Sequence, residues 1–323
     1  MTTFKEIRGT TIEVVSSDPS NPETGQIWYN SSSGTLKGRV ALTAGWSAGG
    51  NINTTRYIAG GAGTQTAALM FGGYDGGSGL LSATESYNGA TWTSVNSMNS
   101  GRHSPGGAGT QTAALGFGGY GPGNRNNTES WNGTSWTAVN VLNTARQNLS
   151  SNFCGTQGST LAAGGSPPAS ESWNGTSWTN TSALNTGGYD KSLIGVSNTS
   201  ALAFGGGVPP ATAVTESWNG SSWTTVNSMN TARISAGNAG TQTAGIVYGG
   251  NNPSPGFITA TETWNGTSWT TNSANMSTGR EGISSAGNQT AALASGGYIG
   301  TVVNSTEEYI GPGSFTTKTV TVS

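Results

Sequence analysis

Short apolar runs, each closed by a pair of glycines, return along the chain at regular intervals. Examples are Leu69-Met70-Phe71-Gly72-Gly73, Leu115-Gly116-Phe117-Gly118-Gly119 and Ile246-Val247-Tyr248-Gly249-Gly250, with further pairs at Gly164-Gly165, Gly205-Gly206 and Gly296-Gly297. Each run is followed by a Glu-x-aromatic word: Glu85 to Tyr87, Glu129 to Trp131, Glu171 to Trp173, Glu216 to Trp218, Glu262 to Trp264, decaying at Glu307 to Tyr309. The steps between these Glu residues are 44, 42, 45, 46 and 45 residues. A second Trp stands five residues after the aromatic, at Trp92, Trp136, Trp178, Trp223 and Trp269. An Arg opens most repeats: Arg56, Arg102, Arg146, Arg233 and Arg280, with Gly188-Tyr189 at that point in the fourth. A fixed period of this length means stacked supersecondary units.

Each repeat reads as four short strands: a after the Arg, b ending at Gly-Gly, c at Glu-x-aromatic and d at the second Trp. Between c and d the Asn-Gly of Trp131-Asn132-Gly133-Thr134-Ser135-Trp136 reads as a tight hairpin, since both residues tolerate positive φ. No segment sustains the 3.6-residue apolar period of a helix. Strands alternate in direction, so the a–b and c–d turns share one end and the b–c and d–a connections the other. The first end is nearly invariant: Gly63-Thr64-Gln65-Thr66 recurs from Gly109 and from Gly240. The b–c loops vary: 74–83, 120–127, 166–169, 207–213, 251–260 and 298–305.

The segment from Trp92 through Met98 to Arg102, repeated from Trp223 through Met229 to Arg233, together with the Gly-Gly and aromatic marks, resembles the kelch repeat over residues 46–310. The resemblance implies an all-β, six-bladed β-propeller of four-stranded blades, here over 36–323. It implies no activity, because function resides in sites and not in folds. Trp46, ten residues before Arg56, sets the expectation that 39–47 supplies strand d of the last blade, with 315–322 as the competitor.

Residues 1–35 read as an N-terminal attachment segment with one hairpin and too little apolar mass for a core of its own. Gly25-Gln26-Ile27-Trp28-Tyr29-Asn30-Ser31-Ser32-Ser33-Gly34-Thr35-Leu36-Lys37 resembles the leading segment of tailed-bacteriophage structural proteins. The expectation is then a virion protein of tail or capsid, present in multiple copies. Its N-terminal segment would bind other virion proteins, and its propeller could bind a host-surface polysaccharide. Rivals are a sugar-acting kelch-type enzyme and a bacterial surface lectin.

Composition narrows the chemistry. Net charge is −2, with 12 basic and 14 acidic residues in 323 and no basic cluster, which argues against a nucleic-acid surface. The 11 Trp, 9 Tyr and 7 Phe argue against disorder. Residues 1–8 lack the apolar stretch of a signal peptide, and no apolar run is long enough for a helical membrane span. This matches the virion expectation, since particles leave the host cytoplasm by lysis. Cys154 is the one cysteine, and reads as a small buried apolar residue.

His103 is the one histidine, so no cofactor, metal or catalytic residue is expected. The copper enzymes of the kelch family use histidine ligands that this chain lacks. The repeated Arg and Glu read as buried ion pairs, with Lys191 replacing the missing Arg of repeat four as the donor to either Glu171 or Glu216. Among the non-repeated acids Asp75, Asp190, Glu281 and Glu308, spacing suggests no pair. Candidate binding residues lie on the variable loops: Tyr74, Asp75, Tyr120, Arg125, Phe257 and Tyr298, because recognition concentrates on loops held by a rigid scaffold.

Overall fold

A computed structural model describes residues 12–77, 79–149, 152–207, 210–254 and 256–320, so residues 1–8 lie outside it. The described residues are all-β, with no helix. Two compact bodies are distinguished: 1–44 with 310–323, and 45–309.

Among the described residues the larger body contains six four-stranded antiparallel repeats. Repeat one runs Gly60–Thr64, Ala67–Phe71, Thr84–Tyr87 and Trp92–Val95. Repeat two has Gly106–Gly109, Ala114–Phe117, Thr128–Trp131 and Trp136–Val139. Repeats three to five follow the same plan, from Asn152–Thr156, Ser192–Ser197 and Gly237–Gly240. Repeat six takes Ser284–Asn288, Ala291–Ser295 and Thr306–Ile310 and borrows its fourth strand, Gly45–Gly49, from the start of the chain. Trp46 therefore occupies the d position. The segment 39–47 is not one strand, however: Arg39 and Ala41 belong to Thr35–Ala41, in the other body.

The a strand of each repeat lies against that of the next, and the a strand of repeat six against that of repeat one. Parallel backbone pairing joins the a strands of repeats two, three and four, but the repeats do not form one continuous sheet. Glycine permits this approach: a Cβ on Gly107 would sit 2.2 Å from the Gly61 carbonyl oxygen. At the far end of strand b, Gly72 and Gly73 both take positive φ, and a Cβ on Gly72 would meet the Arg102 carbonyl.

Two side-chain relays link each repeat to its predecessor. Trp136 Nε1 donates to Thr84 Oγ1 of repeat one at 3.0 Å, and Trp178 to Thr128. Trp269 donates to Thr215, Trp46 to Thr261 and Trp92 to Thr306. Trp223 differs, donating to the Ser182 carbonyl. The rings are buried against apolar neighbours, as where Trp136 meets Phe71 edge-on at 4.9 Å. In the second relay, the Gln of each a–b turn donates to c-strand carbonyls of the preceding repeat. Gln111 reaches Tyr87, Gln157 Trp131, Gln242 Trp218, Gln289 Trp264 and Gln65 Tyr309. Asn198 does the same toward Trp173 in repeat four. These bonds give the near-invariant turn a physical role.

The c–d connection corrects the tight-hairpin expectation. Tyr87 pairs with Trp92 across a loop of four residues, 88–91. Only the Gly takes positive φ; Asn88 instead accepts from the Ala90 and Thr91 amides through Oδ1, a local side-chain turn.

The smaller body is a four-stranded sheet in the order Glu13–Val15, Ile27–Asn30, Thr35–Ala41, Phe315–Thr319. The described part of segment 1–35 is thus not a lone hairpin, and Phe315–Thr319, from the competing segment 315–322, pairs with Thr35–Ala41 instead of joining repeat six. Trp28 is fully buried there, and Asp18 accepts from its Nε1 and from Asn30, and pairs with Lys37 at 2.7 Å. These donors hold the Asp18 carboxyl down at about 2, Lys37 contributing most.

Candidate functional site

The repeated charges are spent inside the scaffold. Arg56 meets Glu85 at 2.5 Å, Arg102 Glu129 at 2.8 Å, Arg146 Glu171 at 3.2 Å, Arg233 Glu262 at 2.6 Å and Arg280 Glu307 at 2.6 Å. In repeat four Lys191 faces Glu216 at 4.0 Å. All these side chains are buried. Each Glu also accepts from the preceding d–a linker, where Asn53 binds Glu85, Asn99 Glu129, Asn143 Glu171, Asn185 Glu216 and Asn230 Glu262, with Ser277 on Glu307. Sequence reading passed over these Asn residues, although their fixed offset before the Arg was visible. Burial lowers the Arg pKa values and the paired Glu opposes it. No free ring of cations results.

The two residues after each Arg, or after Gly188 in repeat four, occupy fixed geometric positions yet vary among the repeats. The first forms an antiparallel bridge with the residue after Gly-Gly: Tyr57 with Tyr74, His103 with Tyr120, Gln147 with Ser166, Tyr189 with Gly207, Ile234 with Asn251 and Glu281 with Tyr298. The second is left-handed each time: Ile58 (φ 49), Ser104 (53), Asn148 (62), Asp190 (52), Ser235 (50) and Gly282 (63). Backbone bonds link this inner set across repeats. Ile58 donates to Gly282, Ser104 to Ile58, Ser235 to Asp190 and Gly282 to Ser235. Left-handed backbone is costly for non-glycine residues, above all β-branched Ile58, and persists only where the surroundings impose it.

On this frame six rings form a continuous arc. Phe257 lies 6.0 Å from Tyr298, Tyr298 5.3 Å from Tyr57, Tyr57 5.9 Å from Tyr74, Tyr74 6.0 Å from His103, and His103 stacks on Tyr120 at 5.0 Å. Four of these, Tyr74, Tyr120, Phe257 and Tyr298, are loop residues singled out from sequence. Tyr57 and His103 were not; the available signal was variation at a position locked to the repeated Arg. Burial lowers the His103 pKa, which favours the neutral ring. Tyr74, Leu80, His103, Tyr120 and Pro122 line an open cleft of about 560 Å³ at one end of the arc.

The other two loop candidates serve their own loops. Asp75 Oδ1 accepts from the Gly77 and Gly79 amides at 2.9 and 3.1 Å and so shapes its own loop. Arg125 packs its guanidinium on Gly121 and does not line the cleft.

Two carboxyls sit toward the other end of the arc. Asp190 keeps a solvent-reached edge but is enclosed on nearly all sides, and this desolvation pushes its carboxyl up to about 6, against a bond from Ser235 and with a smaller push from Glu281. Burial also raises Glu281, countered by Asn251. Burial raises the Tyr57 hydroxyl too, helped by the fields of Tyr74, Tyr298 and Glu281. Among the described residues no group of three His, Cys, Asp or Glu is placed to hold a metal ion. Cys154 is buried and its thiol is pushed up to about 12, which makes it unreactive.

No protein-family model matches the chain, and no curated protein matches it. Among solved structures it is similar to that of YjhT, a bacterial protein, with a TM-score of 0.65 and 13% sequence identity over 84% of this chain and 99% of that one. At this identity the likeness concerns the fold alone.

Proposed function

We propose that the chain is a six-bladed β-propeller that binds carbohydrate at its variable-loop end without turning it over, and that it is carried in multiple copies on a bacteriophage virion. The six-bladed reading is supported by the Trp and Gln relays, which run from each repeat to its predecessor and from repeat one back to repeat six. The virion reading is supported by the resemblance of Gly25 through Lys37 to phage structural segments; the smaller body would then contact other virion proteins.

The observation that carries the binding reading is the aromatic arc beside an open cleft. Rings present flat apolar faces that match the C–H faces of pyranose rings, while hydroxyls and carboxyls at the rim accept and donate hydrogen bonds. Isothermal titration against a panel of neutral, acidic and amino oligosaccharides tests it. Tyr74→Ala and Tyr120→Ala should each weaken binding about tenfold, from the loss of roughly 1.4 kcal/mol of ring contact. Absence of binding across the panel, with the protein folded, would sink the reading. Mass spectrometry of purified particles tests the virion assignment separately.

A further inference from the structure

The arc is chemically lopsided. Its cleft end, at Tyr74, His103 and Tyr120, is aromatic, and the neighbouring Asp75 carboxyl is bonded to the Gly77 and Gly79 amides. At its other end Tyr57 and Tyr298 stand beside Glu281, whose field reaches both Tyr57 and Asp190. The placement is topological. Glu281 bridges Tyr298 through its backbone in repeat six, and Gly282 packs beneath the Tyr57 ring of repeat one, where an added Cβ would meet that ring at 3.0 Å. Asp190 joins the same inner set through the Ser235 and Gly282 amides.

Among the described residues of the larger body no cation is available to balance these carboxyls. The repeated Arg residues face their own Glu partners, Lys191 faces Glu216, and Arg125 is folded on Gly121. Two carboxyls with raised pKa values, no partner cation and a wall of rings form a place where added negative charge is penalised and added positive charge is not.

We infer that this site, taken as the glycan site proposed above, selects sugars bearing a free protonated amine over N-acetylated sugars and rejects uronic acids. The ammonium would lie at the Asp190–Glu281 end, and the pyranose face on Tyr57 and Tyr298. Asp190 is ionised at pH 7.5, so a charge-assisted hydrogen bond forms there, stronger than any bond from an acetamide. Glu281 adds to the cost that burial puts on ionising Asp190, and a bound ammonium relieves it.

The test is titration of the full-length protein at pH 7.5 with glucosamine trimer, N-acetylglucosamine trimer and galacturonic acid trimer. The inference requires the amine form to bind at least about tenfold more tightly than the acetylated form, and the acid form to bind weakest. The Asp190→Asn/Glu281→Gln double variant should lose the amine preference and bind the amine and acetylated trimers equally, with an unchanged circular dichroism spectrum reporting that it is folded. If wild-type protein binds amine and acetylated trimers equally, or if the double variant retains the preference, this inference falls and glycan binding stands. If no trimer of any class binds, the glycan reading and this inference fall together.

Discussion

Trp136→Ala removes one joint of the inter-repeat relay and allows the energetics of the scaffold to be measured. Trp136 is 6% exposed, its ring meets Phe71 of repeat one at 4.9 Å and Trp131 of its own repeat at 5.4 Å, and its Nε1 donates to buried Thr84 at 3.0 Å. An indole buries roughly 200 Å², worth about 5 kcal/mol at ~25 cal/mol per Å². Measured truncations of buried aromatics cost about 3–5 kcal/mol, and the lost hydrogen bond adds about 1 kcal/mol. The expected loss is therefore about 4–6 kcal/mol. Trp136→Phe keeps the ring and deletes the donor, and should cost about 1–2 kcal/mol. Pairing it with Thr84→Val in a double-mutant cycle should return a coupling of about 0.5–1.5 kcal/mol, the share of the hydrogen bond alone. The assay is equilibrium guanidinium unfolding followed by two probes, with coincident transitions required before free energies are taken. A Trp136→Ala loss below about 1 kcal/mol would refute the reasoning, because the ring would then contribute no more than an exposed surface group.

Arg102→Met strands buried Glu129 without its cation and should cost about 3–5 kcal/mol, most of which Arg102→Met/Glu129→Leu should recover; equal instability of both variants in the same unfolding assay would contradict this. Asp190 has a folded pKa of about 6, above its ordinary value, so its contribution to stability is full below about pH 4 and is lost as pH rises through 6. Asp190→Asn should thus match wild type in thermal midpoint near pH 4 and exceed it at pH 7.5. Asp18 has the opposite sign. With a folded pKa of about 2 its contribution is full above about pH 4 and is lost as pH falls toward 2. Asp18→Asn should narrow the difference in thermal midpoint between pH 4.5 and pH 2.5; an unchanged difference would show that the Lys37, Asn30 and Trp28 contacts do not bias folding.

What sequence determined alone is what lies at a fixed offset within one repeat. The all-β class, four strands per repeat, the end where loops vary and the residues forming the Arg–Glu ion pairs all follow from a pattern repeated five or six times. A contact demanded in every repeat leaves the same mark in every repeat. The same logic made Trp46 legible as a d-strand residue, since its ten-residue spacing to Arg56 copies that of Trp92 to Arg102. Spacing could not say which neighbours meet across repeats. Asp190 and Glu281 stand 91 residues apart and share one field only because the inner backbone set brings repeats four, five and six together. Tyr57 and His103 looked isolated in the chain and became links in an arc once repeats six, one and two were placed side by side. The pairing of Phe315–Thr319 with Thr35–Ala41 joins the two chain ends, which no local pattern encodes. Periodicity records the contacts that every repeat shares; the side chains that differ from repeat to repeat acquire their neighbours, and hence their chemistry, from the tertiary structure.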